Sequence, residues 1–361
     1  MLIDDLVEFS NYYGKNPDYV LAGGGNTSAK NGNIMYVKSS GTQLATIKAE
    51  QFVKIDLKKL SRIFEKEYPE DDKTREALVL ADLMNSRCEG EESKRPSVET
   101  MLHALFKQTF VLHLHPALVN GLTCSEGGEK LAKEIFGDKI IWIDACKPGY
   151  ILSKICYDKI ADFEKEYNQN ADVIFLQNHG IFIADDTVEG LKTKLDSIIS
   201  KLSARLSKMP ESFTETYDSE YCNIVSSKLG GCSVQINNTD ADNYCKDYQS
   251  ALTLIKPFTP DHIVYCNAYP LWLENIDELE IKADDYTNKI GKSPKVILIK
   301  NTGIICMAPD EIKLEIIKKV FEDAVKIAVY SDSFCGPLNM SEYLTDFIVN
   351  WEVESYRSKQ S

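Results

Sequence analysis

Two stretches of this 361-residue chain align with each other without a gap: "VIFLQNHGIFIADDTVEGLKTKL", from Val173, and "VILIKNTGIICMAPDEIKLEIIKKV", from Val296. Val173 falls on Val296, Asn178 on Asn301, Gly180 on Gly303 and Leu191 on Leu314. Each copy reads as two β-rich stretches joined at a tight turn, followed at the same distance by an amphipathic helix. In the first helix Leu191, Leu195, Ile198, Ile199, Leu202 and Leu206 fall on one face. Strand–turn–strand–helix units also recur by chance, but the gapless match reads as a partial internal repeat. One substitution inside it matters most: His179 of the first copy stands opposite Thr302 of the second. Whatever chemistry the histidine supports is confined to the first copy.

Length and composition agree with a folded chain of two domains or one enlarged one, at 43% hydrophobic and 27% charged residues. A net charge of −14 provides no global field for nucleic acid or an anionic membrane, so neither is expected as a partner. Any anionic ligand must be held by local geometry. The start, "MLIDDLVEFSNYYGKN", carries early acids and no long apolar core, unlike a signal or transit peptide. No stretch reaches the roughly 18 apolar residues of a membrane span. Ten scattered cysteines without a C-x-x-C pair read as reduced thiols, and the expected location is cytoplasmic.

Along the chain, Ile3, Leu6, Val7 and Tyr13 have helical spacing, "AGGGNTSAKNG" breaks it, and "NIMYVKSSG" reads as a strand. "TREALVLADLMNSRC" is a second helix, and "VETMLHALFK" a third with Ser97 as its N-cap. "TFVLHLHPA" and "KIIWIDA" read as strands on either side of a helix near 127–135. From about 208 to 235 the pattern dissolves into Ser, Thr, Glu and Gly, which places a domain boundary there. The expected domains are 1–212, catalytic, and 235–361, a smaller α/β domain readable as a degenerate copy without metal ligands.

The chain has five histidines, and two of them, His113 and His115, lie at i and i+2 of one strand, where their imidazoles share a face and can share an ion. His179 lies beside Gly180 at a turn that can aim a side chain into a cleft, and Glu99 falls in the first turn of a helix. Three imidazoles and a carboxylate suit Zn²⁺, with another divalent transition metal as the alternative. By itself, the H-x-H pair reads sooner as a strand's polar face, and His179 as a turn histidine bonded to backbone, than as metal ligands. His103, four residues after Glu99, reads as packing or as support behind the ligands, and His262 as structural. "NKIGKS" at 288–293 is no phosphate loop, because Tyr286 stands where the first glycine is needed.

The order "GGGNTS", "SSG", "PSVET", "HLHP", "NHG" resembles the class II aldolase/adducin family over residues 1 to about 206. "KPGYILSK", "TPDHIVYCNAYPL" and "FIVNWEVESYRSK" are similar to the aldolase half of bifunctional rhamnulose-1-phosphate aldolase/alcohol dehydrogenases. No G-x-G-x-x-G unit is present, so the dehydrogenase activity is not expected of this sequence. The resemblance implies a layered α/β/α domain with a central sheet. It implies His113, His115 and His179 as zinc ligands, with Glu99 as ligand or proton shuttle. It implies Asn26, Ser39, Ser40, Gly41 and Ser97 as phosphate holders, although Val98 stands where small aldolases often have a second serine. A tyrosine commonly donates the proton in those enzymes, and Tyr150 of "KPGY" fits by order. Homo-oligomers are usual in the family.

The activity so implied is cleavage of a ketose 1-phosphate of the rhamnulose or fuculose type to dihydroxyacetone phosphate and an aldehyde. A sugar-phosphate 4-epimerase uses the same metal, and adducin-like modules use the fold without catalysis. The residue types suit the lyase. Carbon–carbon cleavage leaves negative charge on the carbonyl fragment, a cation disperses it, and a carboxylate moves the proton. Phosphate is a remote handle whose binding fixes the reacting atoms.

Overall fold

The computed structural model describes residues 2–351, and the part of "FIVNWEVESYRSK" beyond Trp351 lies outside them. The described chain forms two compact units. The first takes the residues up to Val119, then Glu129–Ala204, with Asn350 and Trp351. The second takes Asn120–Gly128 and Arg205–Val349. No helix among the described residues is long and apolar enough to cross a membrane.

The first unit is built on seven strands: β1 Asn26–Asn31, β2 Ile34–Lys38, β3 Phe52–Asp56, β4 Phe110–Leu114, β5 Ile141–Ile143, β6 Val173–Leu176 and β7 Gly180–Asp185. They form one sheet in the order β3-β2-β1-β4-β7-β6-β5. All neighbours are antiparallel except β5 and β6, whose parallel pairing needs the crossover helix Tyr150–Tyr167 between them. Helices packed on the sheet give the α/β class, and β4 is buried along its whole length. Its Val111 belongs to one buried cluster with Leu102 and Phe106 before it, Ile143, Ile174, Phe182 and Ala184 of other strands, and Leu152, Cys156, Ile160 and Phe163 of the crossover helix. After β7, the helix Val188–Ser203 buries Leu191, Leu195, Ile198 and Leu202, the stripe expected from their spacing.

The sequence pattern misplaces β1. The polar run from Asn26 to Asn31 reads as a break, yet it is a strand held in ladders to β2 on one side and β4 on the other. Its polar side chains are tolerated because they bond inside the fold: Ser10 Oγ lies 2.7 Å from Thr27 Oγ1, and Ser28 Oγ 2.8 Å from His103 Nδ1.

The second unit holds β8 Thr214–Thr216, β9 Cys232–Asn237, β10 Leu271–Leu273, β11 Val296–Ile299 and β12 Gly303–Ala308, in the order β10-β11-β12-β9-β8. Residues 208–235, irregular by pattern, thus contain β8, the helix Glu220–Leu229 and the start of β9. Ser219 caps that helix by accepting from the Cys222 N–H, and Ser-rich composition obscured it. Only β10 and β11 pair in parallel. Ile299, Ile305, Met307, Leu271 and Leu273 build the core with Val225 and Leu279 of flanking helices.

Candidate metal centre

His113 sits in the middle of the sheet, fully buried, and its register neighbours are Asn26 on β1 and Phe182 on β7. The Phe182 ring stacks on the imidazole at 4.0 Å between centroids, so the side chain has one orientation. His113 Nδ1 lies 3.0 Å from the Ile181 carbonyl oxygen, and an N–H donated there leaves Nε2 with its lone pair facing outward. His115 follows just past the strand end, its backbone N–H donating to Tyr19 O at 3.1 Å. The β6–β7 turn brings His179 across from them. Asn178 takes a positive φ of 56°, which asparagine tolerates better than most residues, and Gly180 leaves room for the His115 ring.

The three imidazoles converge. Their ligand atoms lie within 4.8 Å of one another, and His113 Nε2 is 2.9 Å from His115 Nε2. Glu99 Oε1 completes the cluster at 3.1 Å from His113 Nε2 and 3.2 Å from His179 Nε2. Buried nitrogen lone pairs that face each other at such distances repel unless a proton or a cation lies between them. Ligand atoms bound to one Zn²⁺ at about 2.0–2.1 Å would stand roughly 3.3 Å apart, close to these separations. The donor set therefore fits a divalent transition metal. Among the described residues this is the group of three histidine, cysteine or carboxylate side chains so placed.

Glu99 does not lie inside the first helical turn. The helix runs Thr100–Leu105 with Glu99 at its N-cap position, and the hydroxyl of Ser97 accepts from the Glu99 N–H at 3.3 Å. Pro96 and a turn at Ser97–Thr100 delay the helix, and a side chain at the cap is free to swing toward the imidazoles. Burial alone would raise the Glu99 carboxyl, but His113 and His179 outweigh it and hold it well below the usual carboxylate range. The Asn26 amide donates to Glu99 Oε2, while Asn26 Oδ1 is buried without a hydrogen-bond partner. Asn26 is thereby engaged with the carboxylate, a role its place in a glycine-rich run does not signal.

The remaining predicted residues gather in part. Ser39 bridges to Pro96, Ser40 N–H donates to Arg95 O at 2.8 Å, and Ser97 N–H to Lys38 O at 3.2 Å, so the Ser39–Ser40–Gly41 turn runs beside Ser97. Buried Lys38 ties this turn to the glycine run by donating from Nζ to Gly23 O at 3.3 Å. Ser39 Oγ donates to Gln51 O at 2.6 Å, and Gly41 takes a φ of 82°. Tyr150 has other neighbours. It opens the crossover helix, packs edge-on against Tyr68 at 4.9 Å and lies on the cluster of Met35, Val53 and Leu60. His103 is buried on Phe182 and bonds Ser28, and His262 caps a helix by accepting from the Thr259 N–H at 3.2 Å.

The chain is similar over 98% of its length to the uncharacterized oxidoreductase YuxG of Bacillus subtilis (strain 168), at 22% identity across 409 aligned positions. It spans 58% of that relative's length. Among solved structures, the N-terminal class II aldolase domain of a Thermoplasma acidophilum protein is 26% identical with a TM-score of 0.47, the match covering 56% of this chain and 92% of that one. L-fuculose-1-phosphate aldolase from Thermus thermophilus is 14% identical with a TM-score of 0.35, over 55% of this chain and 92% of that one. The model of the class II aldolase and adducin N-terminal domain matches residues 5–198, more than half of the sequence. The chain belongs to the class II aldolase and adducin family.

Proposed function

We propose that this protein is a zinc-dependent aldolase that cleaves a ketose 1-phosphate of the rhamnulose or fuculose type to dihydroxyacetone phosphate and an aldehyde. The observation that carries the reading is the convergence of His113, His115 and His179 on one point with the Glu99 carboxylate beside them. A complete donor set favours an enzyme over a non-catalytic adducin-like module. A zinc ion held there supplies Lewis-acid stabilisation of negative charge developing on the carbonyl fragment.

The chain's own residues do the rest. Glu99, kept ionised by the imidazoles and steadied by Asn26, takes the proton of the hydroxyl at the breaking bond and returns it to carbon. Ser40, Gly41 and Ser97, with Lys38 behind them, hold the phosphate through hydroxyl and backbone N–H donors. Asn26 and the Ser39 hydroxyl are committed inside the protein and serve the frame of that site. The packing of Tyr150 on Tyr68 gives no support for it as proton donor in this chain.

The test is a panel of ketose 1-phosphates given to the zinc-loaded protein, with dihydroxyacetone phosphate detected by a coupled reduction. Cleavage of at least one sugar, reduced about 10²–10⁴-fold in Glu99→Gln, is the expected result. Inversion at carbon 4 without release of fragments would make the protein an epimerase instead. A native protein without bound metal and without turnover would end the aldolase reading.

A further inference from the structure

The two sheets share more than a sequence match. Read toward the β5 and β10 edges, β1-β4-β7-β6-β5 of the first unit and β8-β9-β12-β11-β10 of the second have the same order, the first sheet continuing past β1 to β2 and β3. Their pairing senses agree at every step: antiparallel three times, then parallel. Helices fall at the same points, before the second strand, between the parallel pair and after the hairpin.

The local bonds correspond as well. His179 N–H donates to Leu176 O at 3.2 Å, and Thr302 N–H to Ile299 O at 3.1 Å. Gln177 N–H donates to Ile143 O at 2.9 Å, and Lys300 N–H to Leu273 O at 3.0 Å. Asn178 and Asn301 have φ of 56° and 54°. Trp142 and Trp272 each donate from the indole to a carboxylate two residues on, Asp144 and Glu274.

Register then assigns the ligand positions one by one. His113 faces Phe182 on β7, and Gln235 faces Ile305 on β12, the residue aligned with Phe182. Two residues on, His115 corresponds to Asn237. The side chains agree in direction: a Cβ on Gly180 would press on the His115 ring at 2.7 Å, and one on Gly303 would press on Asn237 Oδ1. Gln235 Nε2 donates to Thr302 O at 2.9 Å, so it reaches the same turn that carries His179 in the first unit. The helix before β9 is capped by Ser219 where the first unit has Glu99.

We propose that the second unit is a copy of the metal-binding half of the first, in which Gln235, Asn237 and Thr302 occupy the places of His113, His115 and His179, leaving a latent site that three imidazoles would turn into a transition-metal site. Neutral amides and a hydroxyl are poor ligands for such metals, so the chain carries its metal in the first unit alone. The proposal rests on the reading of the histidine trio as a metal centre.

The test writes the ligands back. Full-length Gln235→His/Asn237→His/Thr302→His is titrated with Co²⁺, with uptake followed by equilibrium dialysis and by the visible bands of the bound ion. The wild type is expected to take about one equivalent, the triple variant about two, and the triple variant with His113→Ala about one. A triple variant that folds, by circular dichroism, yet takes no more Co²⁺ than the wild type overturns the proposal. Should it not fold, the reverse exchange decides. His113→Gln/His115→Asn/His179→Thr writes the second unit's side chains into the first, and is expected to melt with the metal-stripped wild type. Failure of that variant to fold also overturns the copy. Wild-type protein that binds no Co²⁺ would remove the aldolase reading, while a gain of one equivalent in the triple variant would still uphold the copy.

Discussion

At the scale of single residues, the centre depends on side chains that hold the ligands as well as on the ligands. Asn26 donates to the Glu99 carboxylate, and removing that donor leaves a buried oxygen short of a partner. Asn26→Ala is therefore expected to lower metal affinity or turnover by roughly 10–100-fold with the fold intact, checked by zinc titration beside circular dichroism. Gly180 is constrained from another side, since an added Cβ would meet the Leu114 carbonyl and the His115 ring. Gly180→Ala should displace His115 and weaken metal binding by at least about tenfold, and a variant with native affinity would contradict that packing.

At the scale of elements, the hairpin β6–β7 and its counterpart β11–β12 turn on asparagines in the left-handed region. Residues without asparagine's local bonding are disfavoured there by about 1–2 kcal/mol, whereas glycine is not. Asn301 is the cleaner place to measure this, because no metal ligand neighbours it in the turn. Asn301→Ala is expected to lower unfolding free energy by about 1 kcal/mol and Asn301→Gly by less than about half that, read from urea titrations. The same elements show what pattern reading can and cannot find. The helix after β7 was legible because Leu191, Leu195, Ile198 and Leu202 repeat at helical spacing. Strand β1 was not, because "NTSAKN" has no apolar alternation and owes its conformation to ladders with β2 and β4. The helix Glu220–Leu229 was lost among serines for a similar reason, its cap and its few buried side chains being weak signals singly.

At the scale of the whole molecule, burial first, and His113 second, hold the His103 imidazole well below its usual range. The folded chain keeps it neutral, and the unfolded chain binds a proton there below about pH 6.5. Stability is then full above about pH 6.5 and falls on acidification, by at most about 1.4 kcal/mol per pH unit from this group. Glu99 acts in the same direction at lower pH. Its folded value is depressed, so the stability it lends is present above about pH 4.3 and lost as the pH falls through the folded value. Urea titrations of metal-stripped protein between about pH 5 and 8 should show the first decline, flattened in His103→Leu. Metal loading adds to stability by mass action, about 2.7 kcal/mol at a hundredfold excess over the dissociation constant. Chelation should thus lower the melting temperature of the wild type and leave that of His113→Ala unchanged.

The amino-acid sequence alone determined the α/β class and the hairpin-plus-helix units, because hydrophobic period is a local property, while it left the H-x-H pair open between a strand's polar face and a ligand pair. It also showed that His179 has no counterpart in the second copy. Tertiary structure alone decided where those residues meet: that Glu99 caps its helix and turns to the imidazoles, that Asn26 serves the carboxylate, that Tyr150 packs on Tyr68, and that Gln235 and Asn237 stand in the places of His113 and His115. The reason is physical. Register between strands and the direction of a side chain at a turn are settled by pairing and packing with residues far along the chain, and local spacing carries no record of them.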